Sequence, residues 1–395
     1  MRRQTSSRPP IIKWLPWSIA AILAACGLST RGLVQAPDPA LAGPEADLVA
    51  EGQQIFRYET FGDEQQWTDT LRLHEVVDQK LQPLEALRLG LKVDVDKLHL
   101  GRFLLHNPFG ASGTRELLRE DAVVGVRAQF GPDGHITKLG ITCALCHSTV
   151  DNSFVHGIGH RLDGWPNRDL DVGAIIAMAP GIPEDKKAVY RSWGKGKYDP
   201  RFNFDGKSTP LVLPPAYGLA NVRNETYTAD APISYWNNYV AVTQMGGMGN
   251  FSEPRLGIEV HREPDLVTAR LPALRAYQHS LAAPRSMALD AAGQRGKTVF
   301  DSQCSGCHVG GNGTDNNAGV LHDPAETGMD GAYAERTVNK RYRTTPLRGL
   351  RFHPPYFHDG SAATLADVVA HYNRRRSLNL TDVQQRDLVR YLESL

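Results

Sequence analysis

Two segments of the chain carry the same reactive pattern, Cys143-Ala144-Leu145-Cys146-His147 and Cys304-Ser305-Gly306-Cys307-His308. A pair of thiols at this spacing can add to the two vinyl groups of a haem, and the adjacent histidine then ligates the iron, which is the attachment chemistry of c-type haem. A zinc site made from the two CxxC pairs is the competing reading. It fits poorly, because zinc ribbons set their pairs ~15–20 residues apart, whereas Cys146 and Cys304 lie in opposite halves of the chain, and a histidine after each pair is unneeded for zinc. The sequence therefore predicts two covalent haem c groups, held by Cys143, Cys146, Cys304 and Cys307 and ligated by His147 and His308.

The fifth and last cysteine is Cys26, in a leader with a basic start (Arg2, Arg3, Arg8, Lys13), an apolar core from Trp14 to Ala25 and the sequence Leu23-Ala24-Ala25-Cys26. This reads as an export signal, and its end resembles a bacterial lipobox, which would lipidate Cys26 and attach the mature protein to a membrane. The apolar core is short for a span of about 20 residues. Cleavage after Ala42 and an uncleaved anchor are the alternatives, and every version leads to a periplasmic protein. Lys plus Arg number 44 against 43 Asp plus Glu, so no overall field attracts nucleic acid, and that partner class is set aside.

Positioning these groups requires a mainly α fold: two cytochrome c-like haem domains behind a mostly helical N-terminal extension. The expected divisions are leader and tether, 1–42; extension, 43–130; first and catalytic haem domain, 131–285; second and electron-relay domain, 286–395. In the extension, Trp67, Leu71, His74, Val77 and Leu81 recur at helical spacing, and Pro83 opens a second helix with Leu84, Leu87 and Leu91. Gly134 to Thr142 reads as extended, so the first haem is entered without the usual helix. Val172 to Met178 forms a short apolar helix. His156 and His160, in the loop after His147, read as exposed loop histidines sooner than as far-side ligands. Residues 201–264 are rich in aromatics, Gly and Pro, and are read as closing over the first haem. In the second domain Gly296 and Phe300 share a helix face just before Cys304. A small residue there lets the helix approach the last one, where Thr381 and Gln384 form a capping box and Leu388, Tyr391, Leu392 and Leu395 a buried stripe.

One stretch, Thr344 to Val369, containing Phe352-His353-Pro354-Pro355-Tyr356-Phe357-His358-Asp359-Gly360-Ser361, carries a family resemblance. With the two CxxCH segments it resembles the bacterial dihaem cytochrome c peroxidases and MauG, the dihaem enzyme that matures methylamine dehydrogenase. The likeness is strong over 290–395, loose over 140–260, and does not reach the first 130 residues. It implies that peroxide is cleaved at the first haem and that the second relays electrons from an outside donor, a small cytochrome or a cupredoxin of the periplasm. It also implies a far-side ligand for the second iron at Tyr372. Helical spacing agrees, since Leu365, Val368 and Tyr372 fall on one face behind a Thr364 cap; His371 and Met329 are the second and third choices. By the same resemblance, His358 stands beside the second haem, Glu253 is the distal acid, Trp236 the tryptophan between the haems with Trp165 as its alternative, and a calcium ion sits on the carbonyls of His353 and Pro355. Arg168 is read as a partner for a haem propionate.

The expected activity is that of an exported dihaem peroxidase. Oxidation of a protein partner, oxygenation of an organic substrate with dioxygen, and simple electron transfer are the alternatives. The oxygenase reading rests on the long extension, which resembles that of the dihaem rubber oxygenases.

Overall fold

In the computed structural model, which describes residues 44–395, two helix crossings of one kind anchor the chain. The leader with Cys26 lies outside the described residues. The second crossing joins helix Ala291–Gln303 to the terminal helix Asp382–Ser394. Asp290 caps the former by accepting from the Gly293 N–H, and the reciprocal capping box of Thr381 and Gln384 starts the latter. A Cβ on Gly296 would fall 1.9 Å from the carbonyl oxygen of Asp387, so only glycine permits this approach. Phe300 then reaches Tyr391, ring centroids 5.1 Å apart. Val299, Phe300, Leu388, Tyr391 and Leu392 are buried together with Leu365 and Val369 of helix Leu365–Arg375.

The first crossing repeats this arrangement. Helix Pro44–Tyr58 packs along helix Leu271–Ser280. A Cβ on Gly52 would lie 2.0 Å from the Ala273 carbonyl oxygen, and Phe56, four residues on, meets Tyr277 edge-on at 5.5 Å. Phe56 is fully buried, a burial contributing about 2–3 kcal/mol. These residues share a core with Ala144, Trp236, Tyr239 and Leu274.

Helix Pro44–Tyr58 is the counterpart of the lead-in helix Ala291–Gln303, but residues 59–142 separate it from Cys143, which is entered from the strand Ile136–Ile141 as the extended reading of Gly134 to Thr142 expects. A hairpin spans residue 130. The inserted stretch folds as short helices at Leu73–Gln79, Pro83–Arg88 and Ala111–Arg119, followed by an antiparallel hairpin pairing Val126–Phe130 with Ile136–Ile141. Its core continues into the haem domain, joining Trp67, Leu73, Val77, Leu117 and Leu139 to Leu145, Leu170 and Ile176. Pro83 occupies the first helical turn as expected, whereas Leu84 points to solvent. All sheets are two-stranded, so the fold is mainly α. Among the described residues no helix is long and apolar enough to cross a membrane.

Candidate haem and active site

The strand Ile136–Ile141 delivers the chain to Cys143, and one helical turn, Ala144–His147, presents the two thiols and the imidazole to a large cavity. That cavity has a volume of about 230 Å³. Cys143, Cys146 and His147 line it together with Tyr198, Glu225, Tyr227, Trp236, Gln244 and Tyr333. Helix Ile233–Tyr239 passes directly into a wider π-helical turn, Val240–Met245, which brings Gln244 and Met245 into the wall. Gln244 is fixed there, its Oε1 accepting from the Tyr198 hydroxyl at 2.7 Å.

Both histidines are oriented alike. His147 Nδ1 lies 3.1 Å from the Pro214 carbonyl oxygen and His308 Nδ1 lies 3.1 Å from that of Gly313. With Nδ1–H donated to a carbonyl, Nε2 is left as the metal-binding nitrogen of each ring. Burial lowers both histidine pKa values, favouring the neutral ligand form. Burial also pushes the thiols of Cys143 and Cys146 up to about 12 and that of Cys304 to about 11. The cysteines do not converge, since Cys143 packs against the core of Phe56 and Tyr277 and Cys304 against that of Phe300 and Tyr391. All four are free of disulfides.

The surroundings supply what a haem carboxylate needs. Arg168 and Arg343 are buried beside Tyr227, and in each the Nε and Nη1 atoms have no hydrogen-bond partner among the described residues. Burial lowers both guanidinium pKa values, that of Arg343 to about 10. Buried donors of this kind call for an acceptor, and a propionate is one of the right charge. Free thiols, oriented imidazoles and unpartnered guanidinium groups together fit haem c.

Residues 293–395 match the Cytochrome c family. The chain is 35% identical over 81 residues to the cytochrome-c peroxidase IdrP1 of Denitromonas iodatirespirans, a stretch covering 17% of this chain and 22% of that protein. It is 32% identical over 128 residues to the methylamine utilization protein MauG of Methylorubrum extorquens, covering 27% of this chain and 35% of the relative. Over these stretches the chain is similar to a cytochrome-c peroxidase and to MauG. These matches span 22% and 35% of the relatives' own lengths. A solved hydrazine synthase from Kuenenia stuttgartiensis aligns at 21% identity and a TM-score of 0.34, over 47% of this chain and 73% of that one; an alignment that loose does not define a shared fold.

Tyr372 lies on helix Leu365–Arg375, next to Cys304 and Cys307. Its hydroxyl makes no hydrogen bond among the described residues, and burial, reinforced by the two neighbouring thiols, pushes its pKa up to about 12. The second choice, His371, is engaged through Nε2 with the Thr327 carbonyl oxygen at 2.8 Å, and Met329 packs against a separate cluster around Tyr333 and Tyr342. His156 and His160 are surface residues paired with Asp169 and Asp96, outside the cavity wall.

Trp236 lines the first cavity, its indole N–H buried without a partner. Trp165 stands elsewhere, against Tyr217, Phe352 and His353 at 5.6, 5.0 and 5.9 Å between ring centroids. His358 does not line the cavity. Its Nε2 is 3.0 Å from the Tyr342 hydroxyl, and its carbonyl accepts from the Val212 N–H, so it braces one cavity wall. Glu253 is also outside the cavity. Arg255 grips its carboxylate at 2.6 and 2.7 Å and the Tyr235 hydroxyl donates to it at 3.0 Å, which holds its pKa below the usual range. The acid that does line the cavity is Glu225. Burial alone would raise its pKa, but His279 Nε2 at 2.9 Å and the Ile233 N–H at 2.8 Å hold it lowered. Sequence reasoning missed Glu225, one carboxylate in an irregular stretch.

Proposed function

We propose that the chain is an exported dihaem c-type oxidoreductase that reduces hydrogen peroxide at the first haem, with electrons from a periplasmic small cytochrome or cupredoxin relayed through the second. The observation that carries this reading is the difference in what surrounds the two attachment pairs. A tyrosine with a free hydroxyl faces the second attachment pair, whereas the first histidine opens on a cavity lined by Glu225, Gln244 and Trp236.

Bound haem iron would supply the centre for peroxide cleavage and the one-electron couples that feed it. His147, held at Nδ1 by the Pro214 carbonyl, would offer Nε2 to the iron. Glu225, ionised beside His279, is the group placed to accept a proton at a carboxylate oxygen from one peroxide oxygen and return it to the other. Trp236 gives a cavity-lining aromatic for electron passage, and Tyr198 with Gln244 orients the polar wall.

Tyr372 favours a second reading, oxidation of a partner protein with peroxide as the oxidant. An anionic oxygen ligand stabilises ferric iron and lowers the potential relative to a thioether, which suits a haem that stores oxidising power more than one that draws electrons. Steady-state consumption of peroxide with a reduced small cytochrome or cupredoxin tests the first reading. Rapid donor oxidation supports it, and its absence with every reduced donor while a protein partner becomes oxidised selects the second.

A further inference from the structure

A second cavity, of about 60 Å³, lies inside the segment 59–142 that separates the first lead-in helix from its haem segment. Val77 and Leu117 wall it on the far side, and Leu73, Ile141, Leu145 and Ile175 line both this cavity and the large one. Leu145 is itself part of the first CxxCH segment. We propose that this is a docking site for a small uncharged apolar gas, dioxygen in the cell, placed against the wall of the first haem cavity.

Size and polarity both select that class. A cavity needs only ~10–15 Å³ to admit a water, and a cavity of ~150 Å³ takes benzene, so this one suits a molecule of two or three atoms. Water has no reason to stay. The single polar side chain of the lining is Thr114, and its hydroxyl is already donated to the Leu81 carbonyl at 2.6 Å, whereas a buried water needs two to four partners. The space is also a product of the insertion, since the hairpin and short helices of residues 59–142 supply most of its wall. Affinity for gas follows from the cavity alone. Its use as a supply to the reactive centre rests on the first haem being the one open to ligand.

Xenon is the probe, applied under pressure to crystals of the full haem-loaded protein. A xenon peak bounded by Leu73, Val77, Leu117 and Leu145 is expected, with its loss in Val77→Phe, or in Leu117→Phe should the first variant not fold. In solution, dioxygen rebinding to the reduced first haem after a light flash should lose its fast phase in the same variant. An ordered water in place of xenon, an empty cavity, or a xenon peak unchanged by Val77→Phe would overturn the site. Peroxide turnover is measured separately on the wild type: xenon bound in a protein inert to peroxide and dioxygen would keep the site and remove its role as a supply.

Discussion

Phe56 meets Tyr277 edge-on at 5.5 Å, and Phe300 meets Tyr391 at 5.1 Å with the rings tilted. Each pair closes a crossing that a glycine four residues earlier makes narrow enough, Gly52 in one case and Gly296 in the other. The two attachment segments therefore hang on equivalent scaffolds. Their difference comes from what is inserted between lead-in helix and cysteines: residues 59–142 in the first domain, and nothing in the second, where helix Ala291–Gln303 runs straight into Cys304.

Replacing Gly52 by valine should put a side chain onto the Ala273 carbonyl and cost about 3 kcal/mol, as overpacked sites do. Denaturant titration reads this directly. Gly311→Ala, at a position with no neighbour within 4 Å, should stay within ~0.5 kcal/mol of the parent; equal effects at the two positions would remove the crossing as a stability determinant.

Tyr372→Phe is expected to change the spin and ligation state of the second haem in its low-temperature electron paramagnetic resonance spectrum. His371→Ala should not, because that ring is spent on the Thr327 carbonyl. An unchanged spectrum in the tyrosine variant, with a changed one in the histidine variant, would exchange their roles.

The last domain was readable in the sequence because its signals are local. Thr381 and Gln384, Thr364, Gly296 and Phe300, and the stripe Leu388, Tyr391 and Leu392 all lie within a turn or two of what they act on, and each performs as expected. The first domain was not, because Gly52 and Phe56 are cut off from Cys143 by a stretch with a core of its own. Tertiary contact with Tyr277, far along the chain, is what identifies them. Glu253 is the acid that the family resemblance implies, but Arg255 two residues away captures its carboxylate; Glu225 enters the cavity only through the folding of an irregular segment onto His279.

Glu225→Gln should lower peroxide turnover by about 10²-fold, the low end for loss of a proton-transfer group, with a much smaller effect from Glu253→Gln. The same substitution has a signature in stability. The folded pKa of Glu225 is depressed, so its contribution is complete above the unfolded value of ~4.3 and fades as pH falls through the folded value. Wild-type protein should therefore lose stability on acidification below pH ~4.3 more steeply than Glu225→Gln, as seen in unfolding midpoints.

Arg343→Met should lower the reduction potential of the first haem by tens of millivolts, on the order of 1 kcal/mol for a one-electron couple, since a buried positive charge beside the site favours the reduced state. Redox titration followed at the first haem checks it. No shift in Arg343→Met, together with none in Arg168→Met, would show that the unpartnered guanidinium groups do not face the haem carboxylates.

Stopped-flow mixing of the reduced protein with hydrogen peroxide tests the central claim most directly. The account predicts a rapid spectral change at the first haem, followed by oxidation of the second, and loss of the first event in Glu225→Gln with the haem still attached. No change at the first haem, or oxidation that begins at the second, would contradict it.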